Sequence, residues 1–211
     1  MGNKKDILFI LLTITALILL AVPGQGASLN IRPGIKLGGG LSDNFGADTF
    51  GQSQQPSFMV GLFVDLDITS RLGTAVELNF VRRGSLYQLE SNGLVYRERY
   101  LLDYLEMPLL VKFYFLGGRK PELYIYGGPA VALNLRARLK VTFDDLEESV
   151  AVDNLQGTDL LAQAGAGATL ALGPGRCLLE LRYSHGLKTI ATEPEAEVRN
   201  KSLVILAGFR F

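Results

Sequence analysis

The chain has 211 residues, with 21 basic and 21 acidic side chains, one histidine and one cysteine. That length suits one domain or two small ones, the zero net charge lacks the basic excess of a nucleic-acid binder, and one cysteine excludes an internal disulfide framework or a multi-cysteine zinc site. One histidine argues against a His-rich metal centre, while a mean hydropathy of +0.22 is high for a soluble domain and raises the question of where the apolar residues sit.

The front of the chain supplies part of the answer. Lys4 and Lys5 form a positive start, and Ile7 to Val22 is an uncharged, almost wholly apolar run. Pro23 and Gly24 break it, and Gly24-Gln25-Gly26 offers a small-x-small cleavage site. Residues 1–26 are expected to be a cleavable signal peptide, with residues 27–211 as the mature domain. The alternative, an uncleaved anchor, suffers because the run falls short of the ~20 residues that a spanning helix needs.

Beyond it the chain alternates with period two, the signature of strands. Ile31–Leu41 opens with Gly38-Gly39-Gly40. Phe58, Val60, Leu62, Val64, Leu66 and Ile68 share one face, and Leu72, Val76, Leu78 and Phe80 repeat the phase. A helix would scatter these side chains around its circumference. The pattern returns in Leu105–Phe115, Leu123–Leu135, Leu160–Leu172, Cys177–Tyr183 and Leu203–Phe211, giving eight strands. Short connections at Thr69-Ser70-Arg71, Leu116–Pro121 and Gly173-Pro174-Gly175 alternate with long ones at about 43–56, 84–99, 143–158 and 186–200.

This is the rhythm of an all-β, eight-stranded antiparallel up-and-down transmembrane β-barrel, with short inner turns and long outer loops. Strands of about ten residues are long enough to cross a bilayer when tilted. A soluble barrel or sandwich is the alternative, but the face opposite the apolar one carries mainly Gly, Ala, Asn and a few charges. That is too little polarity for a water-facing surface. Pro108 cannot donate a ladder hydrogen bond and such residues normally avoid paired strands; a β-bulge would accommodate it.

With no Trp in the chain, an aromatic girdle must be Tyr and Phe. Phe58, Phe80, Tyr100 and Tyr183 fall near the outer strand ends, and Phe113, Phe115, Phe209 and Phe211 near the inner ends; ordinary core aromatics are the alternative. Phe209 and the terminal Phe211 look like the C-terminal signal read by the barrel assembly machinery, although Leu206 stands where that signal usually has glycine.

Two further stretches carry a family resemblance. Tyr104-Leu105-Glu106-Met107-Pro108-Leu109, followed by Tyr126-Gly127-Gly128-Pro129, resembles the mid-chain pattern of the PorT-like family of small outer-membrane barrels, often labelled porin-family proteins. The likeness covers residues ~29–211, helped by the glycine-rich strand from Gly34 to Gly40. It implies a bacterial outer membrane and no shared catalytic site.

An eight-stranded barrel has an interior just wide enough for side chains. By parity Glu77, Glu106, Lys112, Arg136, Glu180 and Arg182 point inward, three acids against three bases. Buried charges demand partners, so a salt-bridged polar plug is expected; a thin charge-lined channel is the alternative. His185 follows Ser184, and Glu180 lies nearby, but neighbours on a strand face opposite ways, which disfavours a catalytic triad. Cys177 reads as a small apolar residue on the lipid face. Acids cluster in the third long loop (Asp144, Asp145, Glu147, Glu148, Asp153) and the fourth (Glu193, Glu195, Glu197), without calcium-loop spacing. In the second, Tyr87, Asn92-Gly93, Tyr96, Arg97 and Arg99 suggest an exposed hairpin prolonging the barrel.

The expected protein is a non-enzymatic outer-membrane barrel acting structurally or as an interaction platform through its outer loops, without cofactor, catalytic residue or metal. Its expected partners are outer-membrane lipid and lipopolysaccharide, the barrel assembly machinery during biogenesis, and a protein at the outer loops, but no nucleic acid. A narrow porin and an accessory of a secretion machine are the alternatives.

Overall fold

The structure, a computed structural model, describes residues 30–47, 49, 51–91, 94–115, 121–143, 146–152, 155–193 and 195–211. The expected signal segment 1–26, the turn residues 116–120, Asn92-Gly93, Asp144, Asp145 and Asp153 lie outside the described residues. In chain order the strands are β1 (Asn30–Phe45), β2 (Gln52–Ser53), β3 (Gln55–Asp67), β4 (Leu72–Arg83), β5 (Leu86–Ser91), β6 (Leu94–Tyr114), β7 (Glu122–Phe143), β8 (Leu146–Ala151), β9 (Thr158–Leu172), β10 (Gly175–Gly186) and β11 (Arg199–Arg210).

Eight of these close a ring. β1 pairs with both β3 and β11, and β4, β6, β7, β9 and β10 complete the circuit, every pairing antiparallel. Paired residues run from Ile31 through Leu66, Thr74, Val111, Gly127, Ala164, Tyr183 and Leu203 to Leu41, ten residues further along β1 than the start. A stagger of that size on eight strands tilts them by roughly 40°. The 12-residue strands β4, β10 and β11 then rise about 30 Å, the thickness of a bilayer's hydrocarbon. Closure leaves no edge to face lipid, where an unpaired backbone group would cost several kcal/mol.

β6 and β7 are far longer, at 21 and 22 residues. Their outer halves stand beyond the ring and are widened by β5 on one side and β8 on the other, with β2 added to β5. The second long loop therefore prolongs the barrel as a hairpin, and the third does the same. On this extension Lys140 donates to Glu147 at 2.5 Å and holds that exposed carboxyl below its usual range.

Two local features differ from the expectation. Pro108 sits in a gap of the ladder, with Val76↔Leu109 and Asn79↔Glu106 in the same register on either side, so no bulge forms there. Pro129 sits in a separate gap, in the β6–β7 ladder, between Pro108↔Ala130 and Val111↔Gly127. Each of these residues without an N–H group thus falls at an interruption of its own, on opposite edges of β6. The strands come so close there that a Cβ on Gly128 would lie 2.0 Å from the Leu109 carbonyl oxygen. The two stretches that carry the family resemblance are therefore neighbours across one seam.

The bulge lies instead where Asp103 pairs with Arg136 but Tyr104 pairs with Asn134, leaving Leu135 as the extra residue. An extra residue reverses which face follows. Below it Tyr124, Tyr126, Ala130 and Ala132 are buried inside, whereas above it Ala137 is. Arg136, expected in the lumen, is consequently turned outward and exposed.

Candidate functional site

The outer wall is apolar over its whole height. Ile35, Leu37, Val60, Leu62, Val111, Ile125, Leu179, Leu181 and Ile205 are each 45–62% exposed. In water so large an apolar surface would drive association; in a bilayer it meets acyl chains. Phe58 with Phe80 and Tyr183 with His185 lie toward the outer rim, and Phe113 with Phe115 and Phe209 with Phe211 toward the inner one. Tyr100 differs from the expectation, because it lines a cavity at the outer mouth and not the wall. Cys177 is partly buried and free, beside Phe209 and Leu170.

Inside, Glu77, Glu106, Lys112, Glu180 and Arg182 are buried, and the strand pairing brings them together. Lys36 on β1 and Arg182 on β10 both converge on Glu77. The Lys36 Nζ lies 2.6 Å from its Oε1, and the Arg182 guanidinium engages both carboxylate oxygens at 2.7 and 2.9 Å. Glu180 accepts from Lys36 at 3.1 Å, Arg182 at 3.3 Å and the Tyr124 hydroxyl at 2.9 Å. Toward the outside Arg83 pairs with Glu106, which also accepts from Gln163 at 3.0 Å. Toward the inside Lys112 binds Asp65 at 2.7 Å, and Arg210 bridges Asp65 (3.1 Å) to Glu122 (2.7 Å). Arg32 and Arg176 finish the chain of pairs on Asp67 and Glu122.

Of this chain of pairs, the buried members are five bases, Lys36, Arg83, Lys112, Arg182 and Arg210, and five acids, Asp65, Glu77, Glu106, Glu122 and Glu180; Asp159, also buried, lies apart from it and accepts from Asn200 at 2.8 Å. Neutrality is what a confined, low-dielectric space requires, since a lone buried charge there is very costly. Sequence reasoning did not single out Lys36, Arg83, Asp65, Glu122 or Arg210. Lys36 hides among glycines, Arg83 and Glu122 sit at strand ends, and Asp65 and Arg210 lay on the correct parity without an evident partner.

Inner-face glycines make room for the aromatic side chains that support this network. A Cβ on Gly167 would lie 2.6 Å from the Tyr124 ring, and one on Gly165 would lie 2.5 Å from the Tyr126 ring. Tyr126 accepts from the Arg182 Nε at 3.1 Å. Gly167→Val is therefore expected to push Tyr124 off Glu180 and to destabilise the barrel by about 1–3 kcal/mol. A urea midpoint, read as the folded fraction on unheated gels, checks this; an unchanged midpoint would contradict the close packing.

Ser184 and His185 face opposite ways. Ser184 is buried inside, whereas His185 stacks on Phe45 at 4.6 Å on the outside, and its Nδ1 lies 3.1 Å from the Tyr183 hydroxyl. Glu180 is committed to Lys36, Arg182 and Tyr124. Among the described residues no group of three or more His, Cys, Asp or Glu side chains is placed to hold a metal ion.

Above the Glu77–Glu180 layer lies a mainly apolar one, built from Leu102, Tyr104, Ala130, Ala132, Leu161 and Ile190, in which Asn200 donates to the Tyr104 hydroxyl and to Asp159. Above that, between the extension and the last outer loop, opens a cavity of about 620 Å³. From outside to inside the lumen therefore reads as cavity, apolar layer, charge network and inner rim.

A ring of strands with no free edge, a lipid-suited exterior and a self-neutralised interior defines a transmembrane β-barrel, here of the bacterial outer membrane. A family model described as "Outer membrane protein beta-barrel domain" matches residues 26–191, and the chain belongs to that family. No curated protein matches it. Among solved structures it is similar to Ail, the attachment invasion locus protein of Yersinia pestis, at 16% identity and TM-score 0.47, covering 85% of this chain and 98% of that one. Neisserial surface protein A is similar at 15% identity and TM-score 0.48, covering 86% and 99%. OprG from Pseudomonas aeruginosa is similar at 15% identity and TM-score 0.40, covering 86% and 94%.

Proposed function

We propose that this barrel is a structural or interaction protein of the PorT-like kind, with a lumen filled by side chains and a working surface outside the membrane. It is read as non-enzymatic, exported by residues 1–26, assembled through the signal at Phe209 and Phe211, and set among lipopolysaccharide. The observation that carries this reading is the division of the molecule. The wall and charge network account for nearly everything inside the membrane, whereas β5, β8 and the outer halves of β6 and β7 extend well beyond it. Among the described residues β8 ends that sheet with an unpaired edge, and it carries the exposed Leu146 and Val150 beside Glu147 and Glu148. Exposed edges and apolar side chains of this kind suit a protein partner.

The test is crosslinking in cells from a photoreactive residue placed at position 89 or 148. One discrete adduct from either position, and none from lipid-facing position 62, is the expected result. Adducts that are equally abundant and heterogeneous at all three positions would contradict an interaction surface.

A further inference from the structure

We infer that the outer cavity binds a small, neutral, mainly apolar molecule carrying one hydroxyl or amide donor. Its size, about 620 Å³, lies in the range of small-molecule sites. Its lining runs against its position. Outside the membrane an interior open to water would normally be polar, yet Leu139, Val152, Leu155, Ile190 and Val198 face this space.

The bulge at Leu135 is the cause. Leu133, Leu135, Ala137, Leu139 and Val141 keep one parity, which meets lipid below the bulge and the interior above it. Meanwhile Arg136 is turned to solvent. Apolar walls around so much space forgo packing contacts that an apolar guest restores.

A second, independent feature sets the guest's polarity. Asn44 is buried, only 7% exposed, and its Nδ2 donates to the Ser85 hydroxyl at 3.2 Å. Its side-chain carbonyl has no hydrogen-bond partner among the described residues, and the buried carbonyl of Gln52 on the same cavity has none either. Two unmet acceptors in an apolar space call for a donor. Glu193 lines the same cavity, with Glu195 and Glu197 close by in the chain. A carboxylate guest such as a fatty acid is disfavoured by that charge, and a protonated amine by the cost of desolvating a cation against the aliphatic walls, so the donor belongs to a neutral group. The apolar layer of Leu102, Tyr104 and Leu161, with the charge network beneath it, closes the floor. The cavity is an end station and not the mouth of a passage.

The test uses the mature chain folded in lipid nanodiscs, with a decanol derivative bearing a terminal diazirine as probe. Saturable photolabelling is expected in peptides covering 137–152 and 187–198, with competition by decanol at lower concentration than by decanoate or decane. Ala151→Trp and Ala196→Trp place bulk at the cavity from an exposed and a partly exposed position and should each cut labelling by about tenfold or more. Asn44→Ala should weaken competition by decanol about five- to tenfold, the loss of one buried hydrogen bond, and leave that by decane unchanged. Folding of each variant is read from heat-modifiable migration. Labelling confined to lipid-facing peptides such as 58–66, or insensitive to whichever tryptophan variants fold, would overturn the site. Equal effects of Asn44→Ala on decanol and decane would overturn the assigned donor.

Discussion

Glu77→Ala is expected to be the most damaging single change in the wall, lowering unfolding free energy by about 3–5 kcal/mol. Glu77 is the carboxylate on which Lys36 and Arg182 both converge, and all three are buried. Its removal leaves two cations sharing Glu180 alone, in a space that water does not reach. The cost comes from uncompensated charge more than from lost contacts, which makes a further prediction. Glu77→Leu combined with Arg182→Met keeps Lys36 paired with Glu180 at 3.1 Å, and the double variant should be more stable than Glu77→Ala alone. Urea midpoints in lipid vesicles, read as unheated gel migration because the chain has no tryptophan, decide both. A double variant as destabilised as the sum of its two single changes would show that mutual neutralisation is not what holds the lumen.

Ile205→Arg is the second large effect. Ile205 lies midway along β11, is 59% exposed, and neighbours Leu181 across the strand pair. Were its surroundings aqueous, an arginine there would be nearly neutral. At mid-depth in a bilayer the same change costs about 2–4 kcal/mol. Leu146→Arg supplies the control: Leu146 is 74% exposed but stands on β8, outside the membrane, so its substitution should stay within about 0.5 kcal/mol. Equal urea midpoints for the two variants would mean that the apolar wall does not face lipid.

The architecture was legible because a membrane barrel writes its two faces directly into alternate residues. Leu62, Leu78, Val111, Ile125, Leu181 and Ile205 needed no tertiary information to be placed on the outside. The interior was half legible: Glu77, Glu106, Lys112, Glu180 and Arg182 stood out against apolar neighbours, but parity cannot say which strands face each other across a lumen. Lys36 and Glu77 are 41 positions apart in the chain, and Arg182 and Glu77 are 105 apart. Only the stagger of the closed ring brings them to one level. Arg136 was misplaced for a different reason. The apolar alternation from Leu133 to Val141 runs unbroken through the bulge, so one extra residue that reverses the faces leaves no trace in the pattern. The missing donor of Pro108 is visible in the sequence, but whether a bulge or a gap in the ladder absorbs it is not, and here it is a gap. That Pro129 falls in a second gap, in the β6–β7 ladder on the other edge of β6, is a matter of register.

The same bulge hid the outer cavity. Read as a plain strand, the outer half of β7 would turn Arg136 and Lys140 inward, giving a polar mouth. Folded, it turns Ala137 and Leu139 inward instead, and the mouth becomes apolar.

Planar-bilayer recording of the mature chain tests the central claim, a lumen closed by its own paired charges. The network running from Arg83–Glu106 through Glu77 and Glu180 to Arg210–Glu122, capped by the apolar layer at Leu102 and Leu161, predicts no stable unitary current above the bare membrane. Lasting, uniform current steps that scale with salt concentration, and that change when Glu77 is replaced, would show an open pore and contradict the account.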